Sequence, residues 1–268
     1  MTNQSKSNNS LPSLCGVIGN PVEHSLSPQI HSSFTEKCNI SLDYQKYLVE
    51  SEELNAFVTG FFAKGGTGLN VTLPFKQQVI PIVDKLTNAA KVCQSVNTLY
   101  TNNGKLVGDT TDGKGLILDL ERLNFETNNK NILVVGAGGA SLSVIYSLLE
   151  NESKVYLHNR SQEKIPEIIK QFSNVGEIHP FKPKQEILFD GVICSVSKFN
   201  QSFFDQISPK LKPDAFVYDL NYGKRAEESL NYFRTKNIER LSDGYGMLVG
   251  QAAKAFEIWF GVLPDIKV

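Results

Sequence analysis

The sequence predicts an α/β protein whose second half is a doubly wound parallel sheet. Three observations predict it. β-rich apolar runs alternate with helix-period patterns along almost the whole chain, which is the mark of βαβ units. At 268 residues the chain exceeds what one core comfortably holds, so two domains are expected. A glycine-rich turn at 136–139 separates a β-rich run from a helical one.

In order, "LCGVIG" reads as a strand and "SPQIHSSFTEKC" as a helix, with Ser27 as its cap and Pro28 at its first position. "LDYQKYLV" is a strand, "SEELNAFVTGFF" a helix and "GTGLNVT" a third strand. "PFKQQVIPIVDKL" reads as a helix opened by Pro74. "SVNTLYTNNGKLVGDTT" has two β-like arms around Asn103-Gly104, a hairpin signal. After the polar stretch "NFETNNKN", the strands "ILVV", "KVYLHN", "DGVICS" and "AFVYDLN" follow with helical patterns between them. The tail "YGMLVGQAAKAFEIWFGV" is an amphipathic helix with no strand after it, expected to pack back on the first domain. The expected division is a disordered N-terminus (1–13), a first α/β domain (14–110), a second, dinucleotide-binding domain (111–240) and a returning C-terminal segment (241–268).

Composition excludes several classes. With 27 basic and 28 acidic side chains, net charge −1, there is no surplus to neutralise a nucleic-acid backbone. Cys15, Cys38, Cys93 and Cys194 form no C-x-x-C pair and accompany no histidine cluster, so neither a disulfide framework nor a metal site is expected. They read as small buried hydrophobes in a reducing, cytoplasmic setting. The start "MTNQSKSNNSLPS" lacks the apolar core of a signal peptide. The uncharged stretch from Ile132 to Leu149 is nearly membrane-span length, but its glycines divide it into a strand, a turn and a helix.

In "ILVVGAGGAS", Gly136 suits the tight turn, Gly138 lets backbone approach a pyrophosphate, and Ser141 is the small residue needed for packing. The helix start offers free N–H groups to the anion. This is a Rossmann-type signal. An acid after the next strand would favour NAD; instead "HNRS" brings His158, Asn159, Arg160 and Ser161. A guanidinium pairs with a 2′-phosphate that a carboxylate would repel, and Lys164 adds a second cation, so NADP is the expected cofactor.

Reduction of a carbonyl by such a cofactor needs a proton donor. Lys76, alone in apolar company just past a strand, is the candidate, with Asp109 or Asp112 in "GDTTDGKG" to hold it. Ser25, Ser27, Asn70 and Thr72 gather at element ends and Asn97 sits inside an apolar arm, neutral polar groups suited to a small polyhydroxylated acid. His24 and His31 read as supporting or structural.

These motifs resemble the shikimate dehydrogenase family from about Leu14 to Asp265: "GNPVEHSLSP", "GLNVTLPFK", "SVNTL", "GDTTDG", "VVGAGGAS", "NRS" and "DGYGMLVGQAA", in the family's order. The resemblance implies NADPH-dependent reduction of 3-dehydroshikimate to shikimate, with Lys76 and Asp112 as the catalytic pair. It implies that Ser25 and Ser27 hold the substrate carboxylate, and that Asn70, Thr72, Asn97, Tyr222 and Gln251 contact the rest of the substrate. Gly136, Gly138, Gly139, Ala140, Asn159, Arg160, Ser161, Lys164 and Gly244 are the implied cofactor contacts. Thr110 and Cys194 stand where the family commonly has asparagine, and Lys164 replaces a common second arginine. The implied partners are the small-molecule substrate and no nucleic acid or membrane, in a monomer or homodimer. Two alternatives stand beside this reading: a quinate/shikimate dehydrogenase using NAD, and a non-catalytic NADP sensor on the same fold.

Overall fold

The computed structural model describes residues 11–266. The first ten residues of the expected disordered segment lie outside that range, and Ser13 already opens the first strand. The first half runs through β1 (Ser13–Gly19), α1 (Ser27–Cys38), β2 (Leu42–Leu48), α2 (Leu54–Ala63), β3 (Gly68–Val71), β4 (Lys85–Leu86), α3 (Asn88–Cys93), β5 (Thr98–Asn102) and β6 (Lys105–Asp109), whose six strands form one sheet. Its strand order is β2-β1-β3-β5-β6-β4, with the β3–β5 and β5–β6 pairings antiparallel. Asn103 and Gly104, at φ 50° and 72°, make the hairpin turn between β5 and β6. That turn needs left-handed backbone at both central positions, as the Asn-Gly pair promises.

The second half runs through α4 (Asp112–Arg122), β7 (Asn131–Val135), α5 (Gly139–Glu150), β8 (Lys154–His158), α6 (Ile165–Phe172), β9 (Ile178–Pro180), β10 (Leu188–Cys194), α7 (Gln201–Ile207), β11 (Lys210–Asp219), α8 (Lys224–Thr235), β12 (Arg240–Ser242) and α9 (Tyr245–Phe260). Its sheet is parallel throughout, in the order β12-β11-β10-β7-β8-β9. The near-continuous burial of "ILVV" and "GVIC" is what strands covered on both faces require.

Three expectations need correction. The segment after Pro74 is not an α-helix: residues 73–79 form turns and Ile80–Ile82 a single 3-10 turn. The Lys76 carbonyl accepts the Val96 N–H at 2.8 Å, so it is lost to a helical ladder. Pro81 has no N–H to offer Gln77, and Ile80 N–H bonds that carbonyl instead. Ser27 is the first helical residue of α1 rather than its cap; its N–H donates to Ser25 Oγ at 3.3 Å. The strands β4, β9 and β12 were not anticipated, because two or three residues carry no readable periodicity.

α9 leaves the second sheet and packs on α1 and α4, burying Val249, Ala252, Ala253 and Phe256 with Ile30 and Phe34. The α4–α9 crossing is close because glycines meet there. A Cβ on Gly115 would lie 2.3 Å from Gln251 N, and one on Gly250 would lie 2.5 Å from Gly115 O.

Behind this crossing Asp119, fully buried, accepts the Tyr218 hydroxyl proton at 2.7 Å and the Arg122 Nε–H at 2.7 Å. Tyr218 Oη in turn accepts the Met247 N–H at 2.9 Å. One phenol thus ties α4, β11 and the first turn of α9 together. Tyr218→Phe leaves a buried carboxylate oxygen and a buried N–H without this partner. The expected cost is about 1–3 kcal/mol of stability, read as a lower urea midpoint.

Candidate active site

A cleft of ≈ 290 Å³ opens between the loops after β1 and β3, the start of α4, the turn after β11 and the first turns of α9. Ser25, Ser27, Asn70, Thr72, Lys76, Asn97 and Asp112 line it from the first sheet's side. Tyr222 and Gly244 line it from the second sheet's side, and Gln251 enters from α9.

Phe75 and Val79 are wholly buried in the first sheet's core, which fixes the turn between them. Lys76 therefore leaves the turn toward the cleft, and its Nζ meets Asp112 Oδ2 at 2.5 Å. The lysine side chain remains 20% exposed and its partner 9%, so the pair sits at an accessible wall. Asp112 is the first residue of α4, and its carboxylate turns into the cleft instead of capping the helix. Asn97 Nδ2 donates to Asp112 Oδ1 at 2.8 Å, leaving Oδ2 to the lysine. Asp109, the other candidate acid, is occupied elsewhere: it accepts from Thr87 Oγ1 at 2.5 Å and Thr110 N at 2.7 Å, and pairs with Lys114 at 3.0 Å.

The remaining polar groups are held by a second tier of residues. Asn97 also donates to Gln251 Oε1 at 3.3 Å, and its Oδ1 accepts the Thr111 N–H at 2.8 Å. Asn70 donates to Asn97 O at 3.2 Å and accepts the Tyr44 hydroxyl at 2.7 Å. Ser25 Oγ donates to Ser27 Oγ at 3.1 Å. The reading of the sequence missed Tyr44, Thr98 and Thr111. Only the threonines carried a signal, as hydroxyls flanking Asn97 and Asp112. His31 is wholly buried and stacked on Tyr44 at 4.3 Å, and burial pushes its imidazole down to about 3, so it is a neutral packing ring. His24 is exposed at the cleft rim. Burial pushes the Cys15 and Cys93 thiols up to about 12, in keeping with inert core residues.

The second cluster lies along the carboxyl ends of β7 and β8. Gly136 turns at φ 112°, and a Cβ there would lie 2.6 Å from Ser195 O, so only glycine fits. Gly138 and Gly139 face open space, where a Cβ would meet nothing within 4 Å. Ala140 follows in the first turn of α5, which has no side-chain cap and leaves its N–H groups to an anion. Ser141 is buried beneath, its Oγ 2.5 Å from Ser195 Oγ. After β8, Asn159 Nδ2 donates to Ser161 O at 3.1 Å, while the Ser161 hydroxyl makes no cap bond. Arg160 and Lys164 are exposed and, among the described residues, pair with no carboxylate. Uncapped N–H groups, an open glycine turn and two uncommitted cations fit a phosphorylated dinucleotide. Gly244, expected with this cluster, lies in the cleft beside Tyr222 and donates its N–H to Asn221 O.

A parallel sheet with an open glycine turn and exposed cations at its strand ends, opposite a polar wall with a lysine–carboxylate pair, is how a nicotinamide-nucleotide dehydrogenase is built. Family profiles refine the class. The shikimate dehydrogenase substrate binding domain matches residues 17–99, shikimate / quinate 5-dehydrogenase 119–220, and the shikimate 5′-dehydrogenase C-terminal domain 244–268. The shikimate dehydrogenase (NADP(+)) of Acinetobacter baumannii strain ACICU is 39% identical over 259 residues, covering 94% of this chain and 97% of its own. The crystal structure of shikimate dehydrogenase from Aquifex aeolicus superposes with a TM-score of 0.81 at 33% identity, over 95% of each chain. That of shikimate 5-dehydrogenase from Thermus thermophilus, in complex with NADP(H) and shikimate, gives 0.81 at 25% identity, again over 95% of each. The chain belongs to the shikimate dehydrogenase family.

Proposed function

We propose that this protein catalyses the reversible NADPH-dependent reduction of 3-dehydroshikimate to shikimate, with Lys76 and Asp112 as its catalytic pair. The observation that carries the assignment of roles is the 2.5 Å Lys76–Asp112 contact on the cleft wall facing Tyr222. Residues 14–110 are the substrate-binding part, 111–240 the NADP-binding part, and 241–268, as far as residue 266, the segment that returns to the first. Among the described residues no helix is long and apolar enough to cross a membrane.

NADPH, when bound, supplies the hydride. The residues of this chain do the rest. Ser25 and Ser27 hold the substrate carboxylate, which aims the carbonyl across the cleft. Asn70, Thr72, Asn97 and Gln251 bind its hydroxyls, and Tyr222 closes on it from the second sheet. The Lys76 ammonium gives a proton to the carbonyl oxygen as charge develops there. Asp112, itself fixed by Asn97, keeps that ammonium in place. In the oxidative direction neutral Lys76 takes the hydroxyl proton. Gly136, Gly138, Gly139 and Ala140 receive the pyrophosphate, Gly244 borders the nicotinamide end, and Asn159, Arg160, Ser161 and Lys164 surround the 2′-phosphate.

Initial rates on shikimate and quinate, each with NADP⁺ and NAD⁺, test the reading. Shikimate with NADP⁺ is expected to give the highest kcat/KM. A higher value for quinate with NAD⁺ would establish the first alternative. NADPH binding without turnover of either acid would establish a sensor.

A further inference from the structure

Tyr222 is 40% exposed and meets Tyr245 edge-on at 6.3 Å, so its own packing does little to fix it. The turn that carries it is fixed instead through its neighbour, Asn221. The Asn221 N–H and Nδ2 both donate to Asp219 Oδ1, each at 2.8 Å. Nδ2 also donates to Val196 O, in the loop after β10, at 2.8 Å. The Asn221 carbonyl accepts the Gly244 N–H at the start of α9, again at 2.8 Å. One residue thus stitches together the loop after β10, the turn after β11 and the beginning of α9. The far side of the turn is pinned as well: Gly223, at φ 59° and ψ −139°, donates its N–H to Asp243 Oδ2 at 2.9 Å. Asp243 Oδ1 accepts the Tyr245 N–H at 3.1 Å.

Two of the Asn221 bonds are backbone bonds that any residue here can make. The other two need a side-chain donor of this length. A shorter apolar side chain leaves the Val196 carbonyl without its bond and removes one of the two bonds Asn221 gives Asp219, which is 1% exposed. The turn then keeps its backbone bonds to Asp219, Gly244 and Asp243 but loses its tie to the loop after β10, next to the residue that lines the cleft, Tyr222.

We propose that Asn221 is a positioning residue for the reaction: its carboxamide sets where the Tyr222 ring meets the substrate. The inference rests on the reading above that Tyr222 touches the substrate. It predicts coupling, not merely loss. A positioning residue that acts through Tyr222 has nothing left to position once that ring is gone, whereas a structural residue costs the same in either background.

The test is a double-mutant cycle on kcat/KM for shikimate at saturating NADP⁺, using Asn221→Ala, Tyr222→Ala and the pair, with thermal midpoints to confirm folding. Asn221→Ala is expected to lower kcat/KM by about tenfold beside Tyr222 and by less than about twofold beside alanine. Asn221→Ser keeps one short donor and serves if the alanine variant does not stay folded; its smaller loss must also vanish without the ring. Equal losses in the two backgrounds would overturn the proposal. If Tyr222→Ala alone left kcat/KM at the native value, the substrate contact itself would fail and take the inference with it.

Discussion

Lys76→Ala is expected to lower turnover by about 10²–10⁴-fold, the usual cost of losing a general acid, while NADPH affinity stays native. The geometry separates these two effects. Lys76 stands on a turn after β3 and contacts Asp112 at 2.5 Å, whereas the groups proposed to bind the cofactor phosphates lie on the other sheet, at the ends of β7 and β8. The variant also leaves buried Asp112 with Asn97 but without its counter-charge, so some stability is lost as well. Thermal midpoint and NADPH binding distinguish an unfolded variant from an inactive one. Near-native turnover by a folded variant would remove Lys76 from the reaction.

Arg160→Ala is expected to raise KM for NADP⁺ by roughly 10–100-fold, the range of one lost charge-assisted contact, and to leave KM for NAD⁺ nearly unchanged. No carboxylate follows β8: the residues there are Asn159, Arg160 and Ser161. Arg160 has no competing anion among the described residues, so its guanidinium is available to a 2′-phosphate. Lys164 is exposed on the next turn and supplies a weaker second cation. The native preference is expected to shrink with added salt, because both cations are at the surface. Equal losses with the two cofactors would show that Arg160 does not read the 2′-phosphate.

Local patterning made part of this molecule legible. The glycine turn announced itself because Gly136 must take φ 112° against Ser195, and the Asn103-Gly104 hairpin because few other pairs adopt its angles. The segment bearing Lys76 has a helical pattern in sequence but forms turns. The cause is tertiary: the Lys76 carbonyl is claimed by Val96, twenty residues on. The choice between Asp109 and Asp112 stayed open for the same reason. Thr87 and Lys114 occupy the first acid, and neither partnership is visible in "GDTTDG". The meeting of Lys76 with Asp112 spans 36 residues of sequence, and of the two candidate acids only the family's motifs singled out Asp112. Tyr44 gave no cue at all; its hydroxyl reaches Asn70 because β2 and β3 both flank β1.

The proposed reaction requires one cleft to hold a substrate hydroxyl against both members of the Lys76–Asp112 pair while the second sheet presents the cofactor. A crystal structure with shikimate and NADP⁺ bound measures it most directly. The expected result is a single ring hydroxyl within hydrogen-bond reach, roughly 2.6–3.2 Å, of both Lys76 Nζ and an Asp112 carboxylate oxygen, with its carbon facing the nicotinamide. Shikimate bound with that hydroxyl turned away from Lys76, or with another titratable side chain in its place, would contradict the account.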